Sequence, residues 1–233
     1  MSLNKLNQYF TPSQVVDLVL AEIKNIPNWQ ELKYLEPSCG NGTFVYSLRE
    51  EGAKNIICFE KDKDLETPLN CETREFESCF YQPAFGEPKR EIPKVDVVIG
   101  NPPYNLLGGL FFKQIKKDYP KIKQIEELHL LLASRCIEVD GTIAFILPTN
   151  IIHRDYFREY LSQDLIIEKQ IELPSNTFKG ALINTSIFIF KKIDWGQIPV
   201  ANRVLYSPTF FKLTIGQKVE TLDRWGKKSY LIK

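Results

Sequence analysis

Few of the 233 residues are of the kinds that announce metal, redox or membrane chemistry. There are only two histidines, His129 and His153, and the five cysteines, Cys39, Cys58, Cys71, Cys79 and Cys136, include no CxxC pair. No zinc-type spacing results, so no metal site is expected and the cysteines are expected to be free thiols of a reducing cytoplasm. No run reaches the ~18 consecutive apolar residues of a membrane helix, and the start, MSLNKLNQYF, lacks the apolar stretch of a signal peptide. A cytoplasmic protein without a membrane partner is therefore expected. The formal net charge is only +1, so any polyanion contact must come from local patches rather than from composition. Neither GxGxxG nor GxxxxGK[ST] is present, which disfavours dinucleotides and nucleoside triphosphates as ligands.

What is present is enough for one sizeable core, with 43% hydrophobic and 25% charged residues and a length that suits one globular domain. From residue 33 onward, short apolar runs alternate with helix-compatible stretches: KYLEP, TFVYSLREEG, NIICFE, a charged segment, then VDVVIG. That rhythm predicts an α/β fold with a parallel sheet covered by helices on both faces. Ile122, Ile125, Leu128, Leu132 and Cys136 recur at three- and four-residue intervals and predict a helix in the second half of 109–138. A strand over 142–147 and a helix over 152–161 are expected next, followed by strands over 165–173 and 185–190. No helical stretch joins these last two, which makes them antiparallel neighbours at one end of the sheet. The proline-containing segment 73–94 is expected to supply one short strand and a loop. After Trp195 the apolar rhythm weakens.

The sharpest feature is the run from Asp96 to Tyr104, DVVIGNPPY, a buried strand leading straight into a proline pair. Proline fixes its own φ and restricts the residue before it, so Asn101-Pro102-Pro103 is a stiff turn holding the Asn101 side chain and the Pro102 carbonyl in place. Two acceptors aimed at one spot suit an amine with two N–H groups, such as adenine N6, while Tyr104 offers a ring face for the base. Taken alone, the tetrapeptide could equally just end a strand.

Its context is Leu35-Glu36-Pro37-Ser38-Cys39-Gly40-Asn41-Gly42-Thr43, a strand, a glycine turn and the start of a helix. Glycines there let the backbone approach a ligand lying over the carboxyl end of the strand. Twenty positions beyond Gly40, the run Ile56-Ile57-Cys58-Phe59 ends in Glu60. In isolation Glu60 is a solvated charge within FEKDKD. In register with the glycine turn it is placed to accept hydrogen bonds from two ribose hydroxyls.

These residues resemble the N6-adenine DNA methyltransferases, in the gamma arrangement where cofactor motifs precede the catalytic NPPY motif. The resemblance covers Gln8 to Pro12, Glu36 to Gly42, Glu60 and Asn101 to Tyr104, with a weaker match over 173–178 and 184–186. It implies a Rossmann-like S-adenosylmethionine methyltransferase fold, a mostly parallel seven-stranded sheet with an antiparallel terminal strand. It also implies that Tyr9, Thr11 and Pro12 close over the methionine end of S-adenosylmethionine, that Glu36, Ser38 and Gly40 contact it in the glycine loop, and that Glu60 holds its ribose. Asn101 with Pro102 and Pro103 resembles the acceptor of the two N6 hydrogens, Tyr104 the aromatic beneath a flipped-out base, and Phe178 the aromatic closing from the other side. The family usually has an acidic residue after the third strand to read the cofactor adenine. No Asp lies between Cys71 and Lys94, and Glu72, Glu75, Glu77 and Glu87 all remain open.

By this resemblance the chain is a site-specific adenine DNA methyltransferase related to restriction-modification, with a catalytic domain over 1–195. The same NPPY resembles glutamine methyltransferases that act on release factors, and RNA adenine is a further substrate class. A third alternative is a catalytic subunit that finds DNA only with a separate specificity subunit or a carboxyl-terminal recognition domain. The tail, 196–233, carries seven basic against two acidic residues from Arg203 onward, interleaved with Phe210, Phe211, Trp225 and Tyr230. It suits a small nucleic-acid contact or the start of a target-recognition region, and equally an ordinary solvated terminus. His129 and His153 are expected to be structural or surface residues.

Overall fold

A computed structural model describes residues 9–81, 91–162, 164–178 and 183–194, together with the backbone of strands at 209–214, 218–223 and 226–231. The sheet begins with β1 (Lys33–Glu36), β2 (Asn55–Glu60), β3 (Glu72–Thr73), β4 (Val95–Gly100) and β5 (Ile137–Pro148), and continues with β6 (Leu165–Glu172) and β7 (Thr185–Lys192). Their spatial order is 3-2-1-4-5-7-6. All neighbours among the first five are parallel, whereas β7 runs antiparallel to both β5 and β6. The seven-stranded, mostly parallel sheet inferred from the sequence is thus observed, with the two helix-free strands adjacent and antiparallel.

Strands in its middle are apolar on both faces, as a doubly covered parallel sheet requires. On β4, Val97 and Ile99 pack on one side and Val98 on the other; on β5, Ala144 and Ile146 oppose Ile143, Phe145 and Leu147. Helices α1 (Ser13–Ile23) and α2 (Thr43–Glu50) cover the first face through Val16, Val19, Leu20, Phe44 and Leu48. The opposite face is covered by α3 (Phe112–Asp118), α4 (Ile125–Cys136) and α5 (Asp155–Tyr160). Among the described residues no helix is long and apolar enough to cross a membrane.

Three local expectations are corrected. The helix expected over 152–161 is broken into a 3-10 turn, Ile151–His153, and α5. Arg154 takes extended backbone between them, and its guanidinium reaches Glu126 and Glu127 of α4 at 3.1 and 2.8 Å. Burial pushes the Glu126 carboxyl up, and Arg154 opposes that shift, so the break positions the one cation that two buried carboxylates need. Within segment 73–94 the described residues supply the second residue of β3, a strand that begins one residue earlier at Glu72, and a 3-10 turn, Phe76–Cys79. Finally, the sheet does not stop at seven strands. A meander, β8 (Thr209–Thr214), β9 (Lys218–Asp223) and β10 (Gly226–Leu231), joins it through a parallel pairing of β8 with β6. Its strands are six residues each, and β9 pairs antiparallel with both β8 and β10. The side chains of the basic and aromatic tail lie outside the described residues.

Candidate active site

The register of β1 with β2 and β4 brings three sequence-distant segments to one edge. Leu35 pairs with both Ile57 and Val98, so the chain leaving β1, the end of β2 and the end of β4 emerge side by side. The connections turn opposite ways on either side of β1, which makes this the switch point where open α/β sheets bind ligands.

The glycine loop is held to β2 by two contacts. The Cys39 N–H donates to the Phe59 carbonyl at 2.9 Å, and the Gly40 N–H donates to Glu60 Oε2 at 2.8 Å. Glu60 Oε1 accepts the Asp62 N–H at 2.9 Å. Each carboxylate oxygen keeps further lone-pair capacity, as the sequence-based role for Glu60 demands. Glycine is needed at position 42, where φ is +81° and a Cβ would sit 2.1 Å from the Pro68 ring.

Asn101 leaves the end of β4 as the hub of the site. Its Nδ2 donates to the Tyr9 carbonyl at 3.3 Å and to Thr11 Oγ1 at 3.2 Å, which ties the amino-terminal segment over the strand ends. Its Oδ1 accepts from the Tyr104 hydroxyl at 2.6 Å, and that hydroxyl also lies 3.0 Å from the Ile146 carbonyl. A hydroxyl has one proton, so Tyr104 can turn to Ile146 and release Asn101 Oδ1 for another donor. Burial pushes the Tyr104 phenol well above its ordinary value, which keeps that proton in place.

These groups line a cleft of two lobes that share Tyr9, Phe10, Ser38, Gly40 and Asn101. Glu36 and Thr11 lie in the smaller lobe; Glu60, Pro102, Pro103 and Tyr104 lie in the larger. Two of the residues singled out in the sequence are not brought there. Pro12 starts α1, its carbonyl accepting the Val15 and Val16 amides at 3.0 and 3.2 Å, and does not line either lobe. Phe178 is 5% exposed and packs into the core with Ile171, Leu173, Ile187 and Ile189. The turn before it, closed by Thr177 onto the Pro174 carbonyl, carries the ring inward.

Other residues enter the site that the sequence did not mark. Phe10, inside the recognised QYFTP segment, is 49% exposed and lies against Gly40. Arg74 and Phe76 line the larger lobe, as do Glu75 and Glu77; Glu72 instead pairs with Arg74 at 2.8 Å, and Glu87 lies outside the described residues. His129, buried on α4, also lines it and meets Glu77 at 3.3 Å. Burial pushes the Glu77 carboxyl up, but the hydrogen bond and charge of His129 reverse this and hold it below its usual range. Glu75, without such a partner, is held above that range by burial and the Glu77 charge, against Lys61 and His129.

The clearest sign that the cleft takes a ligand is its unpaired polar atoms. Six buried side-chain atoms among the described residues have no hydrogen-bond partner, and four of them, Glu36 Oε2, Ser38 Oγ, Arg74 Nε and His129 Nδ1, belong to cleft-lining residues. Buried polar groups are otherwise almost always paired, so a concentration of orphans in one concavity calls for an occupant with donors and acceptors of its own. Glu36 Oε2 suits an ammonium donor. Burial and the nearby Cys71 and Glu60 charges hold its carboxyl well above the ordinary range, opposed by a hydrogen bond from the Val45 backbone, so a cationic occupant would relieve it.

Comparison with known proteins bears on the family and the fold. The chain is 27% identical over 218 residues to the type II methyltransferase M.HincII of Haemophilus influenzae, across 84% of this chain and 39% of that one. It is 23% identical to M.CvrRI of Paramecium bursaria Chlorella virus XZ-6E, across 92% of this chain and 54% of the relative. It thus spans about two fifths to one half of these relatives. Among solved structures, the methyltransferase subunit of a Streptococcus thermophilus type I restriction-modification system superposes with a TM-score of 0.64 at 19% identity, over 88% of this chain and 47% of that one. A Listeria monocytogenes protein ascribed to the class I S-adenosylmethionine-dependent methyltransferases gives 0.69 at 16% identity, over 92% and 68%. Such identities establish the fold alone. A family model described as N-6 DNA Methylase matches residues 3–202, from before Tyr9 to beyond β7, and the chain belongs to that family.

Proposed function

We propose that the chain is the catalytic part of an adenine-specific DNA methyltransferase of a restriction-modification system, taking S-adenosylmethionine in the cleft and acting on a flipped-out adenine. The observation that carries this is Asn101: one side chain ties the amino-terminal segment down through its amide and presents its carbonyl oxygen beside Pro102 and Tyr104. When bound, the cofactor supplies an electrophilic methyl group on its sulfonium. Glu36 and Ser38 hold its methionine end and Glu60 its ribose, while Tyr9, Phe10 and Thr11 close over it. Pro12 contributes by starting α1 rather than by touching the ligand.

Asn101 Oδ1 and the Pro102 carbonyl accept the two N6 hydrogens and favour a nitrogen lone pair directed at the methyl carbon. Tyr104 supports the base, its hydroxyl swinging to Ile146 as the amine arrives. No carboxylate or imidazole is needed as a strong base, and the proton goes to solvent after transfer. Extruding the base from a duplex costs a few kcal/mol, partly offset by stacking on Tyr104. Residues 196–233 are assigned to the start of a target-recognition region.

Glu75 is the acceptor for the cofactor adenine amine, since it follows β3, lines the larger lobe and, unlike Glu77, is not committed to His129. Its carboxyl is held above the usual range, so the folded chain keeps that proton to a higher pH than the unfolded chain does. Binding an amine donor favours the ionised form. Cofactor affinity therefore rises with pH through the raised value and is lost as pH falls back through it, at a higher pH than an ordinary carboxylate would give. Calorimetric titration of S-adenosylmethionine at about pH 5 and about pH 8 checks this. Glu75→Gln is expected to lessen the dependence and leave the part that Glu36 contributes, and an unchanged slope excludes Glu75.

The activity itself is tested by tritiated-methyl transfer to unmethylated genomic DNA, with structured RNA and a Gly-Gly-Gln peptide in parallel, followed by nucleoside analysis. N6-methyladenine in the DNA digest is the expected result; label confined to RNA or peptide refutes the DNA assignment. A second reading is a subunit that needs a specificity partner, favoured by its likeness to a type I methyltransferase subunit. Cofactor binding without label in any substrate is its signature.

A further inference from the structure

Three cysteines that are remote in sequence meet behind the glycine loop. Cys39 lies in the loop, Cys58 on β2 two residues before Glu60, and Cys71 immediately before β3. Their three sulfurs all lie within 4.8 Å of one another, and those of Cys39 and Cys71 are 3.2 Å apart. Cys39 and Cys58 are buried against Val45, whereas Cys71 is half-buried, so the cluster has one side nearer solvent. Cys79 and Cys136 do not belong to it.

A buried free cysteine commonly packs as a small hydrophobe, and one or two here would need no other explanation. Three thiols converging from three separate segments form a donor set. A tetrahedral zinc ion holds its thiolates at about 2.3 Å, which puts the sulfurs about 3.8 Å apart. The observed spacings, 3.2 Å for one pair and none above 4.8 Å, bracket that value. Seating an ion thus asks for sulfur shifts of under about 1 Å. The surroundings also suit a thiolate site. Arg49, held by donation at 2.9 Å to the Leu69 carbonyl two residues before Cys71, brings a cation to that side of the cluster. Such outer contacts orient metal ligands and offset the excess negative charge of three thiolates on a divalent ion. Glu36 faces Cys39 and Cys71 from β1 and is the acidic group opposing that balance.

We propose that Cys39, Cys58 and Cys71 form a binding site for one thiophilic d10 divalent cation of the Zn2+ class, with water as fourth ligand on the Cys71 side. The ion would clamp the glycine loop to the end of β2 and to the segment entering β3, the places from which Ser38, Gly40, Glu60 and Glu75 reach the cleft. This assignment does not depend on the identity of the methyl acceptor.

The test is a Cd2+ titration of the reduced full chain, read by the ultraviolet thiolate-to-cadmium charge-transfer band. The band is expected to grow to one equivalent with the intensity of three thiolates, and Zn2+ is expected to abolish it by displacement. Cys71→Ser, the substitution at the most accessible position, should remove one thiolate's share of the intensity and weaken Cd2+ at least about tenfold. Cys136→Ser should leave both unchanged, and thermal unfolding without metal checks that each variant is folded. A band that Cys71→Ser leaves intact, or no band at one equivalent, overturns the proposal. So does native mass spectrometry of the reduced protein that finds no bound metal in the presence of excess Zn2+.

Discussion

Replacing Asn101 by alanine is expected to lower the methyl-transfer rate by at least about 100-fold to 1,000-fold, the range seen when one acceptor or donor aimed at developing charge is removed. Two smaller consequences follow from the same side chain. Loss of Nδ2 frees the Tyr9 carbonyl and Thr11 hydroxyl, so S-adenosylmethionine should bind somewhat more weakly, at about 1 kcal/mol per lost hydrogen bond. Loss of Oδ1 leaves the Tyr104 hydroxyl its alternative partner, the Ile146 carbonyl at 3.0 Å, so the ring should stay where it is. Single-turnover rates with saturating cofactor separate the large effect from the small ones. An Asn101→Ala chain that transfers methyl groups at the parental rate removes Asn101 from the chemistry. Tyr104→Phe provides the contrast: it keeps the ring face and frees Asn101 Oδ1 permanently, so its loss of rate should be much smaller than that of Asn101→Ala.

Much of this site was legible in the sequence because its parts are backbone-directed. Gly42 is demanded by a positive φ and by Pro68, Asn101 is aimed by the two prolines after it, and Glu60 is fixed by the end of an apolar run. Each leaves a local trace. The strands β1, β2 and β4 were readable for the same reason, since burial on both faces forces continuous apolar runs. What escaped was assembled only in three dimensions. His129 sits in an ordinary helical pattern and becomes a cleft residue because β3 and the turn after it bring Glu77 to 3.3 Å. Glu72 pairs with Arg74 and Glu77 with His129, contacts that the spacing of these glutamates along the chain does not reveal. The cysteines at 39, 58 and 71 have no local spacing that suggests a common site, and the parallel register supplies it. The meander β8–β10 escaped for the opposite reason, because a locally paired extension at a sheet edge needs little apolar signal.

Phe178→Ala is expected to destabilise the chain by about 3–5 kcal/mol, a large share of the roughly 5–15 kcal/mol that holds a domain folded. The resemblance that nominated Phe178 makes it a lid on the flipped base, and a lid would show the reverse pattern: stability near the parent and a raised KM for DNA. The two roles need opposite surroundings, since a ring waiting for a base is exposed in the free protein whereas this one is 5% exposed. It fills space between Leu173 at the end of β6 and Ile187 and Ile189 of β7, so truncation leaves a cavity bounded by two paired strands that cannot easily collapse into it. Phe178→Leu, which keeps most of the apolar volume, should recover much of the lost stability. Urea unfolding midpoints and KM measured on the same three proteins decide between the roles. If stability falls while KM holds, the second aromatic face for the base must come from a ring other than Phe178.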